Sequence, residues 1–589
     1  MNHRHNPSLL LRGSTLARRR ATAIASMMLF LVAVRPIAAQ YAVPLKHEVR
    51  AVWLTTAAGL DWPTSTDPEQ QMSSLDAIVR SMHDANFNTI FFQVRPRGDA
   101  YYHSLYEPWA ENLTGVMGKD PGWDPLAFLI AEAHAAGIEV HAWINVFKIY
   151  SDHAAPSSDI HPLRKFSQWT YQDQGEVWID PGYPGVRQYT LNVILDLVRH
   201  YDVDGVNMDY MRYPDGNVPD DRSYRVYGKG MPREEWRIKN INDFVSAVYD
   251  NIVAIKPWVK VGSSPVGMIG TSLDKSTMLN LHKYSQDVPA WLRAGKQDYI
   301  APQIYWPLDP TKTSPGFVAI LERWIKWAGD RHVYAGIAAY KPEVMREVQH
   351  QIDSARDLGA EGESFFRYSN IAGSPVLRKA YAYPALIPPM PWKYRRESQP
   401  PPVLAVSETY PAVFQLEWRG TPEANAFVVY RSPNTPPDLS DARTIVAFFG
   451  ATRTSWIDTI AAPSAIKYCY AVTTVNRGDD ESPNAVTGVG TILEAAALPT
   501  LFPPSFGLQI GGYDTASGKA WGVYRLPEDA PVKIQLISGR ITSRGAVVRT
   551  LIDTVRQRGL YAFSFAASPV DSLSVRMESR ERSIERPLP

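Results

Sequence analysis

From residue 48 onward, short apolar runs with the length of buried strands alternate with segments whose apolar residues recur at helical spacing. The pattern predicts helices over residues 72–85, 126–136 and 186–200, and others centred near residues 242, 292, 324 and 355. The strand-like runs are residues 49–55, 89–94, 139–145, a run ending at Asp209, 259–264, 299–305, 333–337 and 364–366. This order predicts an α/β fold, a (β/α)8 TIM-type barrel over residues 46–383. A doubly wound open sheet is the alternative, because periodicity alone does not show closure.

The pattern changes beyond the barrel. Residues 384–402 are rich in proline, which predicts a stiff linker. Residues 403–493 show short alternating strands with turn signals between them, and residues 498–589 are again β-patterned. These segments predict two small all-β sandwich domains after the barrel.

The N-terminal segment has the composition of a signal peptide. Several arginines precede an apolar stretch over residues 21–34 that is short for a bilayer span, and Ala39 ends a small-residue cleavage site. We therefore expect residues 1–39 to be removed and the protein to be exported to the periplasm, the cell surface or the extracellular space. No integral membrane contact is expected after cleavage. An uncleaved anchor is the alternative, and Arg35 argues against it because it interrupts the apolar run.

Composition narrows the classes of partner. The formal net charge of +1 provides no electrostatic basis for binding nucleic acid. A single cysteine, Cys469, excludes an intrachain disulfide and a cysteine-based zinc site. The chain has 17 Trp and 30 Tyr, side chains that stack on the apolar faces of sugar rings but also fill ordinary cores.

The strand that ends at Asp209 carries the most informative polar residues. Asp209, Tyr210 and Arg212 follow its apolar run, and Pro214 then stops strand pairing. In parallel barrels the loops at the C-terminal strand ends converge on one face, and the chemistry is found there. Asp209 is therefore predicted to be a catalytic or substrate-binding carboxylate. A structural ion pair with Arg212 is the alternative, and the Arg212 cation is expected to lower the pKa of Asp209.

Other strand ends supply the rest of one predicted pocket. Amides and carboxylates hydrogen-bond hydroxyl groups, while Trp and Tyr rings stack on sugars. Each aromatic side chain has simple core packing as its alternative. The predicted substrate-binding residues are Gln93, Arg95, Trp143, Asn145, Asn207, Tyr210, Arg212, Gln303, Tyr305 and Trp306, with Ser264 nearby.

Glycoside hydrolysis usually needs two carboxyl groups. The predicted catalytic carboxylates are Asp209, Asp180 and Asp99, of which the last two lie on loops that could reach the mouth of the barrel. Glu363 and Asp298 are further candidates, although Asp298 precedes its strand and should fall at the wrong end. The residues alone leave the second carboxyl group open.

Two other kinds of site have weaker support. A Ser–His–Asp esterase would need a Gly-x-Ser-x-Gly elbow, and none occurs. A metal site would need paired spacing, which the histidines of the first third lack, so no metal and no cofactor are predicted. These histidines are His103, His134, His141, His153 and His161.

Five motifs occur in an order that resembles the glycosyl-hydrolase-like family 10 domain over about residues 46–374. They are EVRAVW at 48–53, FQVRP at 92–96 with GDA at 98–100, DPG at 180–182, DGVNMDYMRYP at 204–214 and DYIAPQIYW at 298–306. The resemblance implies a (β/α)8 barrel of bacterial envelope or secreted enzymes. At least one family member is understood to cleave peptidoglycan glycan strands stripped of their stem peptides. Distantly similar barrel glycosidases end their fourth strand in a key Asp, which is Asp209 here.

Residues 204–210 also resemble the fourth-strand signature of chitinase-like barrels. In those enzymes a Glu two residues after the last Asp is the general acid, and Met211 occupies that place here. This similarity implies that Asp209 orients a substrate N-acetyl group and that the acid comes from elsewhere. The segment from Gln303 to Tyr305 would then match the sixth-strand motif.

The segments after the barrel show resemblances of their own. Residues 403–493 resemble a fibronectin type III module through Trp418, Tyr430-Arg431, Tyr468 and Ser482, which implies a spacer or a weak wall-binding unit. Residues 498–589 resemble Ig-like sandwiches at the C-termini of exported bacterial proteins, some of which are sorting signals.

These observations predict an exported glycoside hydrolase whose partner is a polysaccharide, with peptidoglycan glycan strands as the expected substrate. A non-catalytic carbohydrate-binding barrel is one alternative, since an obvious second carboxylate is missing. A hydrolase of another exopolysaccharide is the other.

Overall fold

The computed structural model describes residues 44–587 apart from short gaps. The gaps are residues 152–154, 215–217, 268–280, 282, 312–313, 394–402, 411–412, 420–423, 461–466, 484, 492–506, 515–518, 527–528, 539–545, 557–558, 567–572 and 581. The predicted signal peptide, residues 1–39, lies outside the described residues. No described helix combines the length and the apolar composition needed to cross a bilayer.

Eight parallel strands close into a barrel, which confirms the predicted fold class. In chain order the barrel strands are β1 (Val49–Leu54), β2 (Thr89–Arg95), β3 (Glu139–Asn145), β7 (Gly205–Asp209), β8 (Lys260–Ser263), β9 (Tyr299–Ile300), β10 (His332–Ile337) and β11 (Gly362–Phe365). The ring closes at β1, where Ala51 lies opposite Thr89 of β2 and Val49 opposite Gly362 of β11. Asp209 therefore ends the fourth barrel strand.

Helices connect successive barrel strands and begin where the sequence supplies caps. The Asp67 and Asp124 carboxylates each accept a hydrogen bond from a backbone N–H in the first turn, and a proline opens each helix. Each such cap contributes about 1 kcal/mol to helix stability. The helices are α1 (Pro68–Asp84), α2 (Glu111–Thr114), α3 (Pro125–Ala135), α4 (Pro162–Lys165), α5 (Pro184–His200), α6 (Asp221–Tyr227), α7 (Arg233–Ile255), α8 (Val288–Arg293), α9 (Phe317–Ala328), α10 (Pro342–Arg346), α11 (Val348–Leu358), α12 (Tyr368–Ile371) and α13 (Pro375–Ala380).

A small antiparallel sheet is inserted after β3. It consists of β4 (Lys148–Tyr150), β5 (Thr170–Asp173) and β6 (Glu176–Ile179), in the order β4–β6–β5. The sequence pattern did not predict these strands, since they are only three or four residues long. Because the insertion follows the C-terminal end of a barrel strand, it lies on the face where a barrel carries its chemistry.

Two β-sandwiches follow the barrel, as predicted, and they share one strand order. The first has a three-stranded sheet β12–β13–β16 and a four-stranded sheet β15–β14–β17–β18. The second has β19–β20–β23 and β22–β21–β24–β25, which is the same order shifted along the chain. The strands are β12 (Leu404–Tyr410), β13 (Val413–Trp418), β14 (Ala426–Pro433), β15 (Ile445–Gly450), β16 (Ser455–Thr459), β17 (Lys467–Val475), β18 (Val486–Thr491), β19 (Gly507–Asp514), β20 (Lys519–Leu526), β21 (Ala530–Ser538), β22 (Ala546–Arg556), β23 (Gly559–Ala566), β24 (Leu573–Ser579) and β25 (Arg582–Pro587).

The first sandwich closes the N-terminal end of the barrel with the loop that follows β17. Asp479 of this loop lies 2.6 Å from the Nζ of Lys260, the first residue of β8. Glu139, the first residue of β3, lies 2.5 Å from the same amine. Arg477 of the loop pairs with Asp202 through two contacts of 2.7 and 2.8 Å. The barrel and this sandwich therefore share a largely buried charge network.

The start of the proline-rich segment is attached to the same end of the barrel. Leu386 donates a backbone hydrogen bond to Lys46 at 2.7 Å and accepts one from Glu48 at 2.9 Å. The Lys393 Nζ lies 2.5 Å from the Asp298 carboxylate. Of the linker predicted over residues 384–402, the described part up to residue 393 is thus bound to the barrel.

Candidate active site

A cleft of about 220 Å³ opens at the C-terminal end of the barrel. Its lining combines amides, aromatic rings, cations and a carboxylate, the groups that hydroxyl-rich ligands need. Of the predicted site residues, the cleft brings together Gln93, Trp143, Asn145, Asp209, Tyr210, Ser264, Gln303 and Tyr305.

Asp209 is the one carboxylate that lines the cleft in the described part of the chain. Its Oδ1 accepts a hydrogen bond from the Tyr210 backbone N–H at 2.8 Å, and its Oδ2 accepts one from Trp143 Nε1 at 3.2 Å. Burial raises the pKa of Asp209, and this effect outweighs the lowering by these hydrogen bonds and by the charges of Arg212 and Lys148. The carboxyl group therefore favours its protonated form more than an exposed Asp does.

Tyr210 holds the turn that presents this carboxylate. Its φ of 50° lies in the left-handed region, which non-glycine residues seldom adopt and which recurs at functional sites. The turn directs the Tyr210 N–H to Asp209 while the Tyr210 ring lines the cleft. Met211, the next residue, is buried in the barrel core. The place where chitinase-like barrels carry a general acid therefore does not face the cleft here.

Arg212 packs on aromatic rings instead of pairing with Asp209. Its guanidinium lies 5.3 Å from the Trp178 ring centre, 5.4 Å from that of Tyr210 and 4.7 Å from that of Tyr284. The Arg212 charge does lower the pKa of Asp209, but burial is the larger effect. The predicted lowering by Arg212 is therefore present, but desolvation of the carboxylate dominates and the pKa of Asp209 is raised.

A connected set of aromatic rings forms part of the cleft wall. The Trp53 and Trp143 ring centres are 4.9 Å apart with an edge-to-face geometry, and Phe366 lies 6.2 Å from Trp143. Tyr305 continues the set at 5.9 Å from Phe366. Such rings offer flat apolar surface beside the carboxylate, which suits the C–H faces of a sugar.

Each amide side chain of the cleft forms hydrogen bonds to the backbone, and two of them, Gln93 and Asn145, also keep a polar group for a ligand. The Gln93 Oε1 accepts two backbone N–H groups of the loop after β1, at 3.1 and 3.0 Å, so its NH₂ group is left to meet a ligand. Asn145 donates to the Pro96 carbonyl at 2.7 Å, and its buried Oδ1 has no partner in the structure. Gln303 donates to the Ser264 carbonyl at 3.1 Å.

The other two predicted catalytic carboxylates do not line the cleft. Asp180 follows β6, where its oxygens accept from Ser223 Oγ at 2.5 Å and from a backbone N–H at 2.8 Å. Burial raises the pKa of Asp180 to about 6. Asp99 is fully buried and accepts from the Arg97 backbone N–H at 3.0 Å, and burial raises its pKa as well. Neither carboxyl group is placed in the lining with Asp209.

Three predicted binding residues likewise do not line the cleft. Arg95 is fully buried and forms two contacts of 2.7 and 2.6 Å with Glu107. Asn207 is also fully buried and donates to the Tyr299 hydroxyl at 3.4 Å. Trp306 is half-buried outside the cleft lining. These residues support the scaffold around the cleft rather than its surface.

The remaining candidates for a second carboxyl group lie at the opposite end of the barrel. Asp298 directly precedes β9 and pairs with Lys393, which confirms the expectation from the sequence. Glu363 is the second residue of β11, and its Oε2 accepts from the Tyr381 hydroxyl at 2.8 Å. Burial, and then the charge of Glu48, raises the pKa of Glu363 to about 8.

Sequence reasoning missed two cations of the cleft, Arg97 and Lys148. Lys148 lies on β4 of the inserted sheet, which the periodicity did not reveal. Arg97 stands two residues after Arg95, between the two parts of a recognised motif, and its position beyond the strand end was the available signal. The aromatic residues Trp53 and Phe366 were also missed, because both read as ordinary strand core.

The described histidines are engaged in structural contacts. His134 lies 2.8 Å from the Asp204 carboxylate, and the His141 Nδ1 lies 2.8 Å from the Tyr299 hydroxyl. His161 contacts the Arg97 carbonyl at 2.7 Å. Within the residues that the structure describes, no group of three or more His, Cys, Asp or Glu side chains is arranged to hold a metal ion.

A closed parallel barrel with a buried carboxylate, amides and aromatic rings at its C-terminal mouth defines a glycosidase-like barrel. Residues 48–352 match the family Glycosyl hydrolase-like 10, and the chain belongs to this family.

Curated relatives agree with this assignment. The chain is 32% identical to "Glycosyl hydrolase YngK" of Bacillus subtilis (strain 168) over 480 residues, which cover 74% of this chain and 92% of the relative. It is 32% identical to "Glycosyl hydrolase DigH" of Escherichia coli (strain K12) over 335 residues, or 50% of this chain and 73% of the relative. The solved catalytic domain of β-amylase from Paenibacillus polymyxa is only 10% identical, with a TM-score of 0.39 over 56% of this chain and 95% of that one.

Proposed function

We propose that this protein is an exported glycoside hydrolase that cleaves the glycan strands of peptidoglycan. The observation that carries the proposal is Asp209, a buried carboxyl group with a raised pKa that lines an aromatic cleft. Membership of the family and the similarity to two glycosyl hydrolases support hydrolysis of glycosidic bonds. Export rests on the signal-peptide composition of residues 1–39.

In the proposed reaction, Asp209 protonates the leaving glycosidic oxygen. A raised pKa suits this role, since the carboxyl group keeps a protonated fraction at higher pH than an exposed Asp. The Trp143 indole N–H and the Tyr210 backbone N–H hold the two carboxyl oxygens in place. They also stabilise the carboxylate that remains after proton transfer.

The substrate supplies the second reacting group in this proposal. Among the described residues no other carboxylate lines the cleft, whereas the amino sugars of wall glycans carry a 2-acetamido group. Its carbonyl oxygen can attack the anomeric carbon in place of an enzyme carboxylate. The glycosidic C–O bond then breaks as the ring closes to an oxazolinium ion, which keeps the amide N–H, and the leaving oxygen takes the Asp209 proton. Water later opens the ring and returns a proton to Asp209.

The test measures reducing ends released from purified glycan strands. Asp209→Asn is expected to lower the rate by about 10²- to 10⁴-fold, the range for general acid–base groups, with an unchanged melting temperature. Asp243→Asn, an exposed position on α7, serves as the matched control. An Asp209→Asn variant with full activity overturns the assignment.

A second assay separates the two roles open to Asp209. An aryl glycoside with a good leaving group needs no protonation, so loss of a general acid is largely rescued on that substrate. If Asp209 instead orients the acetamido group, the variant stays inactive on both substrates.

A non-catalytic carbohydrate-binding barrel is the second candidate, favoured by the single carboxylate of the described cleft lining. It predicts that the wild-type protein binds glycan strands and releases no reducing ends. Release from another exopolysaccharide in a substrate panel, and not from wall glycan, would assign the hydrolase to that polymer instead.

We further propose that residues 403–493 are a fibronectin type III module. The three-plus-four strand arrangement supports this assignment. For residues 498–589 we propose the role of a sorting domain, and comparing the location of the full chain with that of a chain lacking them tests it.

A further inference from the structure

The cleft contains two cations for its one described carboxylate. Arg97 and Lys148 line it together with Asp209. Neutral sugars need hydroxyl-binding amides and flat rings, which this cleft already has. Two positive charges in a partly enclosed site instead suit an anionic group on the ligand, because electrostatic attraction is stronger where water is excluded.

Arg97 is incompletely paired. Its guanidinium lies 3.7 Å from the Asp99 Oδ2, which is within ion-pair range but beyond a hydrogen bond. The buried Nε of Arg97 and the buried Oδ2 of Asp99 both lack a hydrogen-bond partner in the structure. Native proteins seldom leave such groups unsatisfied, and a guanidinium offers several donors in a plane that matches a carboxylate.

Lys148 approaches the cleft from β4. Its Nζ lies 2.9 Å from the Glu176 Oε1 and 4.7 Å above the Tyr210 ring. The Lys148 side chain is 17% exposed and that of Arg97 is 14% exposed, so a ligand in the cleft can reach both. Asn145, whose Oδ1 has no partner, lies between them along the chain and also lines the cleft.

The two cations follow neighbouring strands of the barrel, and part of the aromatic wall comes from other strands, although Trp53 and Trp143 lie on β1 and β3. Arg97 follows β2 and Lys148 follows β3, the second and third strands around the barrel. Tyr305 follows β9 and Phe366 follows β11, the sixth and eighth strands. Because the second and sixth of eight strands lie opposite each other, a sugar that stacks on Tyr305 can direct a substituent towards the cations.

We propose that Arg97 and Lys148 recognise a carboxylate carried by the sugar that occupies the cleft. This inference rests on the proposed glycan-cleaving function and specifies the chemistry of its substrate. Arg97 binds the carboxylate through its guanidinium, and Lys148 adds a second, single-point contact. The lactyl ether of muramic acid and the C6 group of a uronic acid are two sources of the same chemistry.

The test compares one glycan before and after its carboxyl groups are reduced to alcohols. On wall glycan strands with free carboxylates, Arg97→Gln and Lys148→Gln are each expected to raise KM by about ten-fold or more, the loss typical of a charge-assisted hydrogen bond. On the reduced strands, the wild-type KM should rise similarly and the two variants should match the wild type. Lys239→Gln, on an exposed helix surface, is the control that changes neither KM.

Binding measurements separate this inference from the proposed function. Tryptophan fluorescence measures the binding of glycan strands to the Asp209→Asn protein, whether or not the wild type cleaves these glycans. A polyuronate that competes better than the wall strands identifies uronic acid as the source, and the reverse identifies muramic acid. The inference is overturned if the Asp209→Asn protein binds carboxylated and reduced strands with equal affinity, provided that all variants have the melting temperature of the wild type. Absence of cleavage alone overturns only the proposed function.

Discussion

The two ends of the barrel hold buried carboxyl groups in opposite circumstances. Asp209 at the C-terminal end and Glu363 at the N-terminal end both have pKa values raised by burial. Asp209 lines an open cleft, whereas Glu363 is fully enclosed and hydrogen-bonded by Tyr381. A raised pKa therefore does not by itself identify a reactive acid. Access to a ligand distinguishes the two.

The polar groups at the two ends also differ in whether a ligand can reach them. At the N-terminal end, Lys260 is held between Glu139 and Asp479, with contacts of 2.5 and 2.6 Å. At the C-terminal end, the Arg97 Nε and the Asn145 Oδ1 are buried without partners. Buried atoms without a hydrogen-bond partner also occur at the N-terminal end, among them one oxygen each of Asp479 and Glu363. What distinguishes Arg97 and Asn145 is that they line the cleft, where a ligand can complete their hydrogen bonds. The comparison predicts that changes at one end affect stability and changes at the other affect binding and rate.

The strongest test of that division is Lys260→Met. It leaves Asp479 as a buried carboxylate without a cation, and breaking a buried ion pair costs about 3–5 kcal/mol. We expect the free energy of unfolding, measured by urea denaturation, to fall by about that amount. Activity per folded molecule should stay unchanged. Lys239→Met, which removes an exposed pair, is the matched control, and an equal effect of the two would contradict the division.

Glu363→Gln tests the comparison through the pH dependence of the free energy of unfolding. A carboxyl group whose pKa is raised to about 8 in the folded state binds its proton more tightly there than in the unfolded chain. Its contribution is fully present below the ordinary Glu pKa of about 4.5 and is lost as pH rises through about 8. The neutral Gln should remove this loss, giving a gain on the order of 4 kcal/mol at pH 8 relative to pH 4.5.

The readout for Glu363→Gln is the unfolding free energy as a function of pH, with hydrolysis measured in parallel. A change in the pH–rate profile would show that Glu363 influences the cleft, and would contradict the view that the N-terminal end affects stability alone. A stability curve parallel to that of the wild type would show that Glu363 has no raised pKa.

Arg477→Ala gives the smallest expected effect. The Arg477–Asp202 pair joins the sandwich to the barrel but is more than one third exposed on the Asp202 side. Exposed pairs of this kind contribute about 0.2–1 kcal/mol. We expect a loss within that range at low salt that shrinks at high salt, followed by thermal melting. A loss as large as that of Lys260→Met would mean that the surface pair holds the sandwich as firmly as the buried pair does.

Much of the barrel could be predicted because buried parallel strands read as continuous apolar runs. The prediction over residues 139–145 coincides with β3. The run over residues 299–305 was longer than β9, which covers only Tyr299–Ile300. Pro302 explains the difference, since proline has no N–H to donate to a neighbouring strand.

The sequence predicted the residues at the C-terminal strand ends, but not which of them point into the cleft. Gln93 and Arg95 have the same parity on β2, so alternation places both on one side. The pairing of β2 with β3 shifts register between them, and such an irregularity redirects the side chain that follows. Asn207 has the parity of Asp209 but lies one level deeper in the barrel, where side chains pack in layers. Pattern alone does not resolve either distinction.

The loop that carries Asp479 determines where a shortened chain that still folds as a stable barrel can end. A chain cut within the proline-rich segment keeps every residue of the cleft, yet it removes Asp479, one of the two counter-charges of Lys260 at the N-terminal end of the barrel. The first sandwich thus completes the charge network at the N-terminal end of the barrel. Truncations intended to isolate the barrel should therefore retain the chain through β18.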